Sequence, residues 1–143
     1  MKSLGIVIVT AALAVTSAAA MAQESRSYPD MRGQWKGSSD AVVVGAGPHN
    51  RSDTAAGKPR THNQEFTLNI TRQEGPKFWG ELRSRDDTTT KIGVIARDKQ
   101  TIYMVDNVGG HNTGKLIEAN KFELCYERPG REHFVVGCTI FHR

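Results

Sequence analysis

The 143-residue chain has few sequence features of a membrane-spanning helix, a redox-active cysteine motif or a nucleic-acid-binding surface. Beyond its first 20 residues there is no long apolar run, and a membrane-spanning helix needs about 20 such residues. Lys and Arg are interleaved with Asp and Glu rather than clustered, which argues against a nucleic-acid partner. The only two cysteines are Cys125 and Cys138, so there is no C-x-x-C motif. After the N-terminal segment no stretch shows helical periodicity, which argues against a helical domain.

The N-terminal segment has the three parts of a secretory signal peptide. Lys2 is the basic start, residues 4–20 are uncharged and mostly apolar, and Ala20-Met21-Ala22 is a small-residue cleavage signal. The apolar run is shorter than a membrane span requires, and no cysteine stands at the cut to carry a lipid anchor. The sequence therefore predicts a signal peptide over residues 1–22 and a periplasmic or secreted mature protein without a membrane anchor.

The mature part has the pattern of a small all-β domain. Removing 22 of the 143 residues leaves 121, and loss of Lys2 lowers the net charge from +4 to +3. Residues 23–32 form a polar leader, and residues 33–143 form one domain. Short runs that alternate polar and apolar residues between Gly, Pro, Asn and Asp are typical of strands. These runs are residues 33–44, 65–73, 77–85, 91–97, 101–108, 114–118, 121–128 and 133–142.

About eight short strands joined mostly by short turns favour a single antiparallel, up-and-down β-barrel, because closure removes exposed sheet edges. An outer-membrane barrel would carry an apolar band on the outside of every strand. Several strands here have a face of Glu, Arg, Asn and Thr, which favours a soluble barrel. The side chains expected inside are Phe66, Leu68, Ile70, Phe78, Leu82, Ile92, Val94, Phe122, Leu124 and Tyr126.

The two cysteines are predicted to form a disulfide, as is usual in small exported domains. They lie on the last two predicted strands, and they oppose each other directly if the turn centres on Arg131 and Glu132. Cys125 shares a polar face with Glu123 and Glu127, whereas Cys138 shares an apolar face with Phe134, Val136 and Ile140. A bridge therefore requires either an interior face of Val135, Thr139 and Phe141 or a bulge.

Gly33-Gln34-Trp35 begins the first predicted strand, and Arg143 ends the last. A G-x-W opening with a closing basic residue resembles the calycin superfamily, which contains lipocalins, fatty-acid-binding proteins and avidin-like barrels. The resemblance implies that Trp35 closes one end of the barrel and that Arg143 packs across it. A guanidinium over an indole ring also gains about 0.5–2 kcal/mol.

Residues for chemistry are sparse. The five histidines lack the spacing of metal ligands, no nucleophile motif marks a catalytic residue, and no cofactor is expected. Tyr103, Asp106 and Tyr126 are the candidate ligand-binding residues, because they lie near the ends of predicted strands. The long loop 45–63 could cover one mouth, and its bases Arg51, Lys58 and Arg60 would then favour an anionic ligand.

Three functions fit such a chain. The first is a binding protein that holds a small apolar or amphipathic molecule, which requires a cavity. The second is a protein-interaction module, such as a protease or lysozyme inhibitor, with a filled core and an exposed anchor. The third, an isomerase or cyclase, requires a titratable group with a shifted pKa inside the cavity. We rank them in that order, and the sequence assigns no oligomeric state.

Overall fold

The computed structural model describes residues 27–51 and 57–143, so the predicted signal peptide lies outside it. The described chain forms eight strands. They are β1 (Gly33–Val44), β2 (Arg60–Glu74), β3 (Lys77–Arg83), β4 (Thr88–Ile95), β5 (Thr101–Asp106), β6 (His111–Glu118), β7 (Lys121–Arg128) and β8 (Phe134–His142). Each strand pairs antiparallel with the next, and β1 pairs with β8, which closes the barrel. The predicted all-β, up-and-down barrel is confirmed.

Strand bounds differ from the prediction mainly where outward positions are polar. β2 begins at Arg60 rather than at residue 65, because Thr61 and Asn63 continue the ladder opposite Val42 and Asp40 of β1. Such polar side chains look like loop in the sequence but face away from the interior. Within residues 27–51 and 57–143 no helix is long and apolar enough to cross a membrane.

Apolar side chains fill the barrel toward the end where β1 begins. Trp35 and Phe122 are fully buried, and their rings meet edge to face with centroids 4.8 Å apart. Phe122 stacks on Phe141 at 5.2 Å. The rest of this core comprises Met31, Leu68, Ile70, Phe78, Ile95, Ile102, Met104 and Leu124. This half of the barrel is packed as a solid core.

The predicted facing of β4 is wrong. Ile92 and Val94 lie on the outside of the barrel, 57% and 39% exposed, whereas Lys91 and Ile95 face inward and are 1% exposed. The prediction placed the two β-branched residues inside because apolar residues usually occupy the buried face of a strand. Here the alternation of the strand puts a lysine in the interior instead.

The disulfide between Cys125 and Cys138 is confirmed. The two residues are direct partners across β7 and β8, so the turn does centre on residues 131 and 132. The inward positions of β8 include Val135, Thr139 and Phe141, as the bridge requires. The apolar face that seemed buried is the exposed one, formed by Phe134, Val136 and Ile140.

Candidate functional site

The two ends of the barrel are closed by different means. At the end where β1 begins, residues 27–32 cross the opening, and Met31 is 1% exposed among the core side chains. The Trp35 indole donates a hydrogen bond to the Met31 carbonyl at 2.7 Å. The Gln73 amide accepts from the Met31 backbone N–H and donates to the Pro29 carbonyl. The polar groups of this crossing segment are thus satisfied, as buried polar groups generally are.

Arg143 completes the same closure. Its guanidinium carbon lies 4.2 Å from the centre of the Trp35 ring. Its nitrogens donate to the carbonyls of Arg32, Asp30 and Ala119 at 2.8, 3.1 and 3.4 Å. One side chain therefore joins the crossing segment, the ring beneath it and the turn between β6 and β7.

At the opposite end residues 45–51 of the β1–β2 loop turn inward over the mouth. His49 lies between the β3–β4 connection and β4, with Nδ1 2.7 Å from the Ser84 hydroxyl and Nε2 3.2 Å from that of Thr89. Its ring meets Phe66 edge to face at 5.3 Å. Arg51 forms a 3.0 Å ion pair with Asp87 on the outside. An imidazole and a surface ion pair thus attach the loop to the barrel.

Beneath this loop lies an internal cavity. Its volume is about 80 Å³, counted as the space open to the centres of water molecules. Its apolar lining is formed by Ala41, Val43, Phe66, Leu82, Leu124 and Phe141. Of these, Phe66, Leu124 and Phe141 lie toward the Trp35 end. Nearer the mouth the lining is polar, with His49, His62, Lys91, Asn112, Tyr126, Arg128 and His133. Its described lining residues include neither Asp nor Glu. The cavity is amphipathic, and its polar part is rich in hydrogen-bond donors.

Lys91 is the centre of the polar wall. Its ammonium donates to Asp106 Oδ2 at 2.9 Å and to Asn112 Oδ1 at 3.0 Å, and it lies 4.5 Å from the centre of the Tyr126 ring. The Lys91 and Asp106 side chains are 1% and 2% exposed. Burial lowers the pKa of Lys91, and the attraction of Asp106 opposes that shift. A buried charge needs such partners, because an unpaired one is very costly to desolvate.

Asp106 links this pair to the β5–β6 turn. Its Oδ1 accepts from the backbone N–H groups of Val108 and Gly110 at 3.1 and 2.7 Å. Burial by itself would raise the pKa of Asp106, but Lys91 and these donors together lower it, so the carboxylate stays ionised. Burial, and then the nearby Asp106, raises the pKa of Tyr126, which keeps the phenol protonated. Gly110 lies against the Tyr126 ring, where a Cβ atom would come within 2.1 Å of it.

Lys91, Asp106, Asn112 and Tyr126 form a cluster whose charged groups have partners. Two buried donors near the mouth differ from this cluster. Arg128 Nη1 is buried and has no hydrogen-bond partner within residues 27–51 and 57–143. Gln64 is 8% exposed, and its amide has one contact, a 3.1 Å hydrogen bond with His62, while Nε2 has none among the described residues. Turning the amide over would leave its oxygen in that position instead. Each such group costs about 1–3 kcal/mol when it stays unsatisfied.

The structure brings together two of the three predicted ligand-binding residues. Asp106 and Tyr126 meet beside Lys91, although Asp106 itself contacts the cluster rather than lining the cavity. Tyr103 lies on the outside of the barrel, 50% exposed, because its strand neighbours Ile102 and Met104 take the inward positions. Of the predicted loop bases, Arg51 is paired with Asp87 on the surface, Lys58 is exposed and Arg60 is half-buried.

Lys91, Arg128 and His49 were missed as site residues. For Lys91 a signal was available in the sequence. A hairpin centred on the predicted Asp98-Lys99 turn places Lys91 directly opposite Asp106, as the register shows. Opposite charges at facing positions of two strands indicate an ion pair. No comparable local signal marks His49, whose role depends on how a long loop folds back.

No group of three or more His, Cys, Asp or Glu side chains within the described ranges could hold a metal ion. No protein-family model matches the chain, and neither a curated protein nor a solved structure is found to match it.

Proposed function

We propose that this protein is an exported binding protein that holds one compact amphipathic molecule inside a calycin-like barrel. The observation that carries the proposal is the cavity beneath residues 45–51, with apolar walls below and hydrogen-bonding groups near the mouth. Ligand sites generally combine apolar lining with a few placed polar groups. The Cys125–Cys138 disulfide is consistent with an oxidising location outside the cytoplasm.

The cavity volume limits the ligand. About 80 Å³ open to the centres of water molecules is room for several water molecules or for one small ligand. A short aliphatic chain or a small ring with one polar group fits both its size and its division into apolar and polar parts.

Binding is favoured over catalysis because Lys91 and His49 already have hydrogen-bond partners in the barrel wall. Lys91, His49 and Tyr126 do have shifted pKa values, which is the condition set above for an enzyme. However, Lys91 is held by Asp106 and Asn112, and His49 by Ser84 and Thr89. These partners make the groups structural elements of the wall.

The test compares a cavity-filling variant with a matched control. Ala41 lines the cavity, whereas its neighbour Val42 is 47% exposed on the outside. Native mass spectrometry of the mature protein purified from its own host, without reductant, should show a retained small mass that is lost in Ala41→Leu and kept in Val42→Leu. Calorimetric titration with C4–C6 probes should show the same contrast. Equal binding by both variants would rule out the cavity as the site.

A second function, a protein-interaction module, is favoured by one separate observation. Apolar side chains of β3, β4 and β5 form an outward face: Trp79, Ile92, Val94, Tyr103 and Val105. Apolar patches on the outside of a domain often mark contact surfaces. Ile92→Lys should abolish a protein interaction through this face and leave binding in the cavity unchanged, so one variant separates the two functions.

A further inference from the structure

The cavity has an electrostatic preference that the proposed function by itself does not specify. Its described lining contains Lys91, Arg128 and three histidines and no carboxylate. Asp106, close behind it, already accepts hydrogen bonds from Lys91, Val108 and Gly110. Asp87 and Asp86, which lie near His49, form ion pairs with Arg51 and Arg85. The remaining capacity of the polar wall is therefore for donating hydrogen bonds and attracting negative charge.

Arg128 is the group best placed to use that capacity. It is the last residue of β7, lines the cavity, and also lines a surface pocket together with the loop residues Ala46, Gly47 and Pro48. Its positive charge lowers the pKa of Tyr126, whereas burial and Asp106 raise that pKa more strongly. Its buried Nη1 has no hydrogen-bond partner within the described ranges. A guanidinium forms its strongest bonds with a carboxylate or phosphate oxygen.

Gln64 supplies an independent observation. It is 8% exposed, faces inward opposite Ser39 of β1, and keeps one amide atom without a partner among the described residues. Ser39 itself lines the cavity. Two buried polar groups on separate strands, β2 and β7, thus lack hydrogen-bond partners among the described residues, and of the two Arg128 lines the cavity. Native proteins seldom leave such groups unsatisfied without a reason.

The order of residues along the strands fixes the orientation. Arg128 is the last residue of β7, whereas Leu124 of β7 and Phe141 of β8 lie nearer the Trp35 end. Phe66 lies deeper than His62 on β2 in the same way. A ligand with its charged group at Arg128 would place its apolar part against Phe66, Leu124 and Phe141.

From this arrangement we infer that the ligand is a small organic anion, with its carboxylate at the mouth on Arg128 and its hydrocarbon part in the deeper half of the barrel. The inference rests on the proposed function, because it requires that the cavity bind a ligand. It adds the charge of the ligand, its orientation and the residue that selects it.

The test is calorimetric titration of the mature, oxidised protein with probes of nearly one size. The probes are hexanoate, hexan-1-ol and hexylammonium, with inorganic phosphate as an anion without a tail. Hexanoate should bind about tenfold to a hundredfold more tightly than hexan-1-ol, the usual range for one hydrogen-bonded charge. Hexylammonium should bind more weakly than the alcohol.

Variants assign the preference to its residue. Arg128→Gln should reduce the hexanoate advantage over hexan-1-ol to less than about threefold, because only the charged fork is removed. Arg128→Lys should keep part of it. Arg83→Gln, which removes an exposed arginine at the end of β3, should leave it unchanged. Thermal unfolding of each variant checks that the barrel is intact.

The outcomes separate the inference from the function beneath it. Equal affinity for hexanoate and hexan-1-ol, or a full anion preference in folded Arg128→Gln, would overturn the inference and leave a binding cavity in place. Phosphate binding as tight as hexanoate binding would show a bare anion site and overturn the organic class. Failure of every C6 probe to bind would contradict the proposed function for ligands of this size.

Discussion

The two ends of this barrel are both covered by the chain, but they differ in how the buried polar groups there are satisfied. At the Trp35 end, residues 27–32 cover the opening, and Arg143 and Gln73 satisfy the polar groups of the covering segment. At the His49 end the chain also folds over the opening, but it leaves a cavity and buried groups without partners among the described residues. The first end is therefore expected to stabilise the fold, whereas the cavity at the second end is the basis of the proposed ligand binding.

The largest effect is expected at the closed end. Trp35→Ala removes a fully buried indole together with its contacts to Phe122 and Arg143, and large-to-alanine changes of this kind cost about 3–5 kcal/mol. Urea unfolding measures the loss. Trp79→Ala is the matched control, because Trp79 is half-buried on the outer face, under Arg72. A loss at Trp79 equal to that at Trp35 would contradict the picture of a closed and structurally important end.

A comparable loss is expected at the open end for a different reason. Lys91→Met keeps the volume of the side chain but leaves Asp106 buried without its cation, and breaking a buried pair this way costs about 3–5 kcal/mol. Adding Asp106→Asn should recover part of the loss, because the neutral amide is easier to bury. If the double variant is less stable than Lys91→Met, the charge of Asp106 is not what the lysine compensates.

The Lys91–Asp106 ion pair also shows what could be predicted from the sequence and what could not. The spacing of turns predicts eight strands and their order, since each hairpin needs only local signals. The inward side of β4 was predicted wrongly because Ile92 and Val94 are apolar, and lysine is among the residues least often buried. The hairpin register that places Lys91 opposite Asp106 was nevertheless readable from the Asp98-Lys99 turn.

The rest of the site depends on contacts that are distant in sequence. His49 contacts Ser84 and Thr89, which are 35 and 40 residues away in the sequence, and Arg128 lines one surface pocket together with loop residues such as Pro48. Neither spacing nor periodicity encodes these contacts. Local patterns therefore predicted the wall of the barrel, and only the folded chain revealed the donors around its cavity.

A smaller effect is expected from Arg143, which joins three carbonyls to the Trp35 ring. Arg143→Gln should cost about 1–2 kcal/mol, the sum of a partly exposed cation–π contact and exposed hydrogen bonds. A double-mutant cycle with Trp35→Leu, which removes the aromatic ring, isolates the ring contact, and Arg131→Gln on the exposed β7–β8 turn is the control. A coupling energy near zero would show that the guanidinium acts through the carbonyls alone.

The smallest effect on stability, and the most specific to the open end, concerns His49. Burial, and then the positive charge of Lys91, lowers its pKa, while Asp87, Asp106 and Asp86 oppose the shift. The unfolded chain therefore takes up a proton near the ordinary pKa of 6.5, before the folded protein does. Stability should then fall as the pH drops below about 6.5, until the pH passes the folded pKa.

His49→Gln keeps a polar side chain at this position. The substitution should lower the free energy of unfolding by about 1 kcal/mol at pH 7.5, because the hydrogen bonds to Ser84 and Thr89 are altered. It should also remove part of the loss of stability between pH 7 and pH 5, as measured by urea unfolding at each pH. His142→Gln, an exposed change at the end of β8 by the closed end, serves as the control and should leave that slope unchanged. An unchanged slope in His49→Gln would mean that His49 is protonated as readily in the folded protein as in the unfolded chain. The loop would then be held at the mouth without a neutral imidazole, and acid would not weaken its attachment.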